Sequence, residues 1–150
     1  MNDRYLYKAK KVDNGQWVEG FYFLMGGDGV GHCIGLEPLQ ANDYSEIYKS
    51  CYDYIDISTL CQCTGLKDKN NRLIWENDIV RCVDKNSDIE FTARVEFGNP
   101  NGEYNWGWQL HHLSGDKPNL DILLWIETEE SGAFCEIIGN IFDNPELLEA

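Results

Sequence analysis

After Lys117 the sequence contains no lysine or arginine, while Asp121, Glu127, Glu129, Glu130, Glu136, Asp143, Glu146 and Glu149 all carry negative charge. Across the whole chain 12 basic residues stand against 26 acidic ones, a formal net charge of −14. A far field of that sign repels nucleic acid and acidic membrane surfaces and attracts basic partners. Proline is also scarce, at four residues, whereas five Trp, eight Tyr and six Phe are present. That balance excludes a disordered chain, which would be poor in aromatic groups. Nowhere do eighteen apolar residues run together, which excludes a membrane-spanning helix. The opening Met1-Asn2-Asp3-Arg4-Tyr5 lacks the basic region and apolar stretch of an export signal. The expectation is therefore a cytoplasmic protein. Its six cysteines are expected to stay reduced and to act as small buried hydrophobes.

What is present points to β structure. A chain of 150 residues, 43% apolar, suffices for one core and is short for two, so a single domain over residues 1–150 is expected. Phe91, Ala93, Val95 and Phe97 alternate with Thr92, Arg94 and Glu96, the pattern of a half-buried strand. Trp17, Phe21, Phe23 and Met25 share one parity, as do Trp106, Trp108 and Leu110, and Ile137, Gly139 and Ile141. Turn signals at 13–15, 26–29, 69–71, 84–88 and 98–102 separate short strands at spacings suited to antiparallel meanders and barrels. The fold class is accordingly mainly β, a small antiparallel barrel-like or meander domain. Leu120 to Glu127 fits a helix face and a strand equally well. Asn144-Pro145-Glu146-Leu147-Leu148 reads as a short C-terminal helical turn, with Asn as cap, Pro at the first position and Glu at the positive end.

Two ordered motifs stand out. Thr64-Gly65-Leu66-Lys67-Asp68-Lys69-Asn70-Asn71-Arg72-Leu73-Ile74-Trp75-Glu76-Asn77-Asp78-Ile79-Val80 reads as strand, polar turn, strand. Near the end comes Cys135-Glu136-Ile137-Ile138-Gly139-Asn140-Ile141-Phe142-Asp143-Asn144-Pro145-Glu146-Leu147-Leu148. The first resembles the signature of the YopX family of small bacterial and phage proteins, T-G-L-K-D-K-N-G-x-x-I-Y-E-G-D-I-V. The second is similar to that family's closing pattern, E-V-I-G-N-I-Y-E-N-P-E-L-L. Tyr5 to Lys10 and Gly15 to Gly20 match its opening hairpin more loosely. Asn70-Asn71 and Asn77 stand where the family commonly has Gly; where the backbone there is left-handed, Asn is the next-best residue. Cys61-Gln62-Cys63 replaces a stretch that is usually Gly-Gln-aromatic. The resemblance implies an accessory protein of phage or prophage origin, and names no reaction.

The residues offer chemistry sparingly. Cys61 and Cys63 share a strand face, and His32-Cys33 and His111-His112 carry further thiolate or imidazole donors. A zinc site, however, pairs cysteines two to four apart with a second pair at defined distance, and no second pair exists. Buried thiols are the better reading, so no metal or cofactor is assigned. No local signature marks a cysteine nucleophile. Asp53 and Asp56, or Glu127, Glu129 and Glu130, read as solvated faces rather than acid-base pairs. Gly26-Gly27-Asp28-Gly29-Val30-Gly31 lacks the lysine and following helix of a phosphate loop and reads as a hairpin tip. Trp106, Trp108 and Tyr104 read as core rather than as a platform for bases.

With no catalytic signature, the expectation is a non-enzymatic protein-protein interaction module that takes a basic host or phage protein. Contacts are assigned to Glu127, Glu129 and Glu130 on the acidic C-terminal region, or to an exposed sheet edge. Glu76 and Asp78 are the polar positions of the central motif open to contact, and they serve turn amides equally well. An acidic imitation of the DNA backbone is one alternative. A nucleic-acid-binding small barrel is another, for which Arg72, Arg81, Arg94 and Lys8, Lys10 and Lys11 are the only basic candidates. Exposed edges also admit a homo-oligomer.

Overall fold

The computed structural model describes residues 5–26, 31–35, 52–98, 107–114, 117–126 and 132–149. Among them are eleven strands: β1 (Tyr7–Lys10), β2 (Trp17–Met25), β3 (Gly31–Gly35), β4 (Tyr52–Tyr54), β5 (Cys61–Lys67), β6 (Leu73–Trp75), β7 (Asp78–Asp84), β8 (Ile89–Gly98), β9 (Gly107–His112), β10 (Leu120–Asp121) and β11 (Ala133–Asn140). The chain divides into two compact units, Met1–Cys63 and Thr64–Ala150, with the boundary inside β5.

In the N-terminal unit β1 pairs antiparallel with β2 and with the start of β5, β2 pairs with β3, and β3 with β4. Asn14 and Gly15 turn the first hairpin as expected. The Asn14 Oδ1 accepts from the Gln16 amide at 2.9 Å, and Gly15 takes a left-handed φ of 71°. The core is small: Ala9, Ile34 and Ile55, with Tyr7, Val18, Tyr22 and Leu60 packed against it. Val18 and Tyr22 thus face this cluster, so in β2 it is the parity opposite to Trp17, Phe21 and Phe23 that meets the core. The aromatic parity instead packs laterally, Trp17 beneath the ammonium groups of Lys8 and Lys10 and Phe23 edge-on to Tyr52. Gly20 permits a close strand approach, since a Cβ there would lie 2.2 Å from the Gly35 carbonyl oxygen.

No closed barrel forms from the described strands. β4 has three residues, and among the described residues β1's end meets β4's end at a single bridge, Lys11 to Ile55, where the Val12 amide donates to the Tyr54 carbonyl at 3.0 Å and the Asp56 amide to the Lys10 carbonyl at 2.9 Å. Such short pairing offers too few ladder bonds for closure. A 3₁₀ turn, Ile57–Thr59, supports this junction, with Asp56 capping it by accepting from the Ser58 amide. The Thr59 hydroxyl accepts from the Lys10 amide at 2.8 Å and donates to the Asp56 carbonyl at 2.7 Å.

The C-terminal unit carries a five-stranded antiparallel sheet in the order β10-β9-β8-β7-β11, and β6 lies beside the later part of β5. Its core holds Ile74, Val80, Cys82, Ala93, Val95, Leu110, Ile122, Trp125, Ala133 and Cys135. β8 realises the expected alternation, with Ala93 and Val95 fully buried; at its end Phe97 is 55% exposed and meets Trp108 edge-on. The stretch from Leu120 resolves into a two-residue strand, β10, followed by a 3₁₀ turn, Ile122–Trp125, that Asp121 caps. The C-terminal helical turn is 3₁₀, Pro145–Glu149. It stays tight because the Leu147 amide bonds the Asn144 carbonyl three residues back. The Asn144 side chain is turned the other way, to accept from the Asn140 amide at 3.2 Å. Among the described residues no helix is long and apolar enough to cross a membrane.

Candidate functional site

The central motif is built around two acceptors inside turns. The Asp68 carboxylate has no exposed surface. Its Oδ1 accepts from the amides of Asn70 at 2.9 Å and Arg72 at 3.0 Å, which closes the turn as an Asx motif does. Its Oδ2 accepts from the amide of Ile137 at 3.0 Å, in the closing motif. Around this link the Lys69 amide donates to the Cys135 carbonyl at 3.0 Å, and the Arg72 guanidinium donates to the Ile137 carbonyl at 2.6 Å. A buried carboxylate that meets several amides is well satisfied, so Asp68 fastens the central and closing motifs to one another.

Asp78, also buried, accepts from the Trp75 amide at 2.8 Å through Oδ2. Between them Asn77 donates its amide to the Val95 carbonyl and receives the Ile141 amide on its own carbonyl. Asn71 and Asn77 take left-handed φ values of 65° and 70°, the conformation in which Asn substitutes for Gly at least cost. The buried Thr64 hydroxyl donates to the Ile74 carbonyl at 2.7 Å and accepts from the Leu66 amide at 3.0 Å. In the closing motif Asn140 Oδ1 accepts from the Phe142 and Asp143 amides, both at 2.9 Å. Gly139 is required there because a Cβ would lie 2.5 Å from Asn144 Oδ1.

Of the contact residues assigned from the sequence, Glu127, Glu129 and Glu130 lie outside the described residues, as do Trp106 and Tyr104. Glu76 is half-buried in the turn before β7. Four of the six basic candidates are engaged with carboxylates, Arg72 with Asp68, Arg94 with Glu96, Lys11 with Asp53, and Arg81 with both Glu90 and Glu136, while Lys8 and Lys10 lie over the Trp17 ring. The hydrogen bonds that Arg81 donates to Glu90 and Glu136 push its guanidinium further toward its charged form. In return, Arg81 and then Lys69 hold the Glu136 carboxyl below its ordinary range. Lys69, Arg81 and Lys85 surround the ring of Phe134.

The thiols are shielded. Cys33, Cys61, Cys63, Cys82 and Cys135 are buried. Cys82 and Cys135 face each other across β7 and β11. Burial raises both thiols, Cys135 to about 12, which keeps them protonated and poorly nucleophilic at neutral pH. Cys61 Sγ donates to the Thr59 carbonyl at 3.3 Å. His32 Nδ1 lies 2.6 Å from the Tyr22 hydroxyl, and His111 Nδ1 lies 3.1 Å from Asn119 Oδ1. Among the described residues no three His, Cys, Asp or Glu side chains gather where a metal ion would sit.

Each unit has a hollow on its described surface. One, of about 400 Å³, is lined by Val12, Asp13, Tyr52, Asp53 and Tyr54 in the N-terminal unit. The other, of about 290 Å³, opens in the C-terminal unit beside Phe91 and Trp125. Sequence reasoning missed this second hollow, because its lining is gathered from the start of β8, the end of β9, the approach to β10 and the 3₁₀ turn, and no local spacing links them.

The architecture defines a two-sheet antiparallel β protein whose turns are fixed by buried Asp and Thr side chains and by half-buried Asn. A family model for the YopX protein matches residues 7–149, and the chain belongs to that family. No curated protein matches it.

Proposed function

We propose that the protein is a non-catalytic interaction module that docks a basic protein partner, with Glu127, Glu129 and Glu130 supplying the charge. The observation that carries this reading is the pair Leu123 and Leu124. They stand on the 3₁₀ turn immediately before the acidic run and are 61% and 66% exposed, while Ile122 and Trp125 of the same turn are buried. Adjacent exposed leucines beside a run of carboxylates match an apolar anchor rimmed by charge, the usual anatomy of a protein interface. The net charge of −14 adds long-range attraction for a basic partner. The polar side chains of the family motifs support the same reading, since Asp68, Asp78, Asn140 and Thr64 are occupied with backbone amides and carbonyls of the scaffold.

The test is affinity purification of the tagged chain from its bacterial host, for the wild type and for E127K/E129K/E130K and L123D/L124D. The partner found is then purified and its affinity measured at two salt concentrations. The expected result is a basic protein retained by wild type, lost in both variants and bound more weakly at high salt. A partner bound equally by all three proteins would overturn the assignment of this surface.

A further inference from the structure

The hollow beside Phe91 has a chemistry that the interaction reading does not use. Its walls are aromatic and aliphatic. Phe91 on β8 stands perpendicular to Trp125, with ring centroids 5.0 Å apart, and lies 4.4 Å from the ring of His112 on β9. Ile89, Leu120 and Pro118 complete the apolar lining. Two charged residues border it, and they are not equivalent. The Glu90 carboxylate is held by Arg81 at 2.9 Å. Lys117, the last cation in the sequence, is exposed and forms no ion pair among the described residues. The Trp125 indole lines the hollow, and its buried Nε1–H meets no acceptor among the described residues. A buried donor left without a partner costs about 1–3 kcal/mol, a deficit that an oxygen acceptor entering after a small rotation of the ring would relieve.

An apolar cleft with a few polar groups is the general form of a small-molecule site, and about 290 Å³ lies at the small end of the usual range of roughly 300–1,000 Å³. The sign of the ligand follows from the charges. Lys117, a cation at this cleft with no carboxylate partner among the described residues, selects an anion, although the protein's overall field disfavours anions. We propose that this hollow binds a small aromatic or branched aliphatic carboxylate, its apolar body against Phe91 and Trp125 and its carboxylate at Lys117. The site goes beyond the interaction reading and stands independently of it. His112 supplies a reporter. Burial, then Lys117, then His111 depress its imidazole below the ordinary value; with Glu90 already engaged by Arg81, a carboxylate bound at Lys117 adds an opposing charge that raises it.

The experiment is an NMR titration of the full chain with 3-phenylpropionate. The neutral 3-phenylpropan-1-ol and the cationic 3-phenylpropylamine serve as comparisons, and the Trp125 indole and the His112 ring are followed. The carboxylate is expected to shift both signals saturably, bind at least tenfold more tightly than the alcohol and raise the His112 titration midpoint. K117E should weaken carboxylate binding at least tenfold while leaving the protein's spectrum folded, and K117R should retain it. Absence of saturable shifts at Trp125, or equal affinity for acid and alcohol with no effect of K117E, would overturn the proposal.

Discussion

The two units use the same element, the antiparallel strand, and secure it by different means. The N-terminal unit gathers a small apolar cluster, Ala9, Ile34 and Ile55, and relies on close backbone approach at Gly20 and on aromatic side chains packed along the sheet. The C-terminal unit has the larger core and adds a buried carboxylate, Asp68, that accepts from its own turn and from the distant Ile137 amide, where the N-terminal unit's long-range side-chain link is a neutral hydroxyl, Thr59, that meets the Lys10 amide. The difference shows why the family signature is sharp in one unit and loose in the other. An apolar position tolerates another hydrophobe of similar volume. An oxygen that must meet particular amides tolerates almost nothing else.

The strongest way to break the comparison is Asp68→Ala. Three amides lose their acceptor, and at about 1–3 kcal/mol for each group left unsatisfied, a loss of roughly 3–5 kcal/mol is expected in urea unfolding. No single N-terminal substitution outside the apolar cluster and its glycines should match it. Next come the two glycines. Gly20→Ala drives a methyl into the Gly35 backbone, whereas Gly139→Ala drives one into the Asn144 side chain. Both should cost about 1–3 kcal/mol, but only the second should be partly rescued by a companion Asn144→Gly; rescue of neither or both would erase the distinction. Smaller and alike should be Thr59→Val and Thr64→Val, one in each unit, at about 1–2 kcal/mol apiece for lost buried hydrogen bonds. Thermal denaturation of the pair reads this directly.

The smallest effect is in pH. His112 has a depressed imidazole when folded, so below about 6.5 the unfolded chain binds a proton that the folded chain resists. Stability is therefore lost as pH falls through that window and regained as it rises. His112→Gln should flatten the denaturation midpoint between pH 7 and 5.5. The Glu136 carboxyl, held low by Arg81, acts in the same sense at more acid pH, below about 4.3, and that loss should persist in the variant.

Much of this could be read in advance where the signal was local. The period-two run through Phe91 and Val95 announced β8, and Asn-rich turns announced left-handed backbone at Asn71 and Asn77. The parity of β2 misled, because aromatic residues stand on both faces, Tyr22 toward the core and Trp17 and Phe23 away from it, and aromatic groups pack sideways along a sheet as readily as beneath it. The barrel failed to close because strand length, here three residues in β4, is not encoded by a turn signal. The Asp68 link to Ile137 spans the whole second unit, and the walls around Phe91 come from four separate segments. Neither leaves a trace in spacing, since tertiary proximity alone creates both.

Asp68 and its turn have a last consequence. β11 pairs with β7 on one side only, and a strand so placed would ordinarily offer its other row of amides and carbonyls to any passing chain. Here the Ile137 amide, the Ile137 carbonyl and the Cys135 carbonyl already bond the turn that carries Asp68. Those three groups are thereby withheld from an incoming strand, so the residues that make the family recognisable also cover part of this edge of the second sheet.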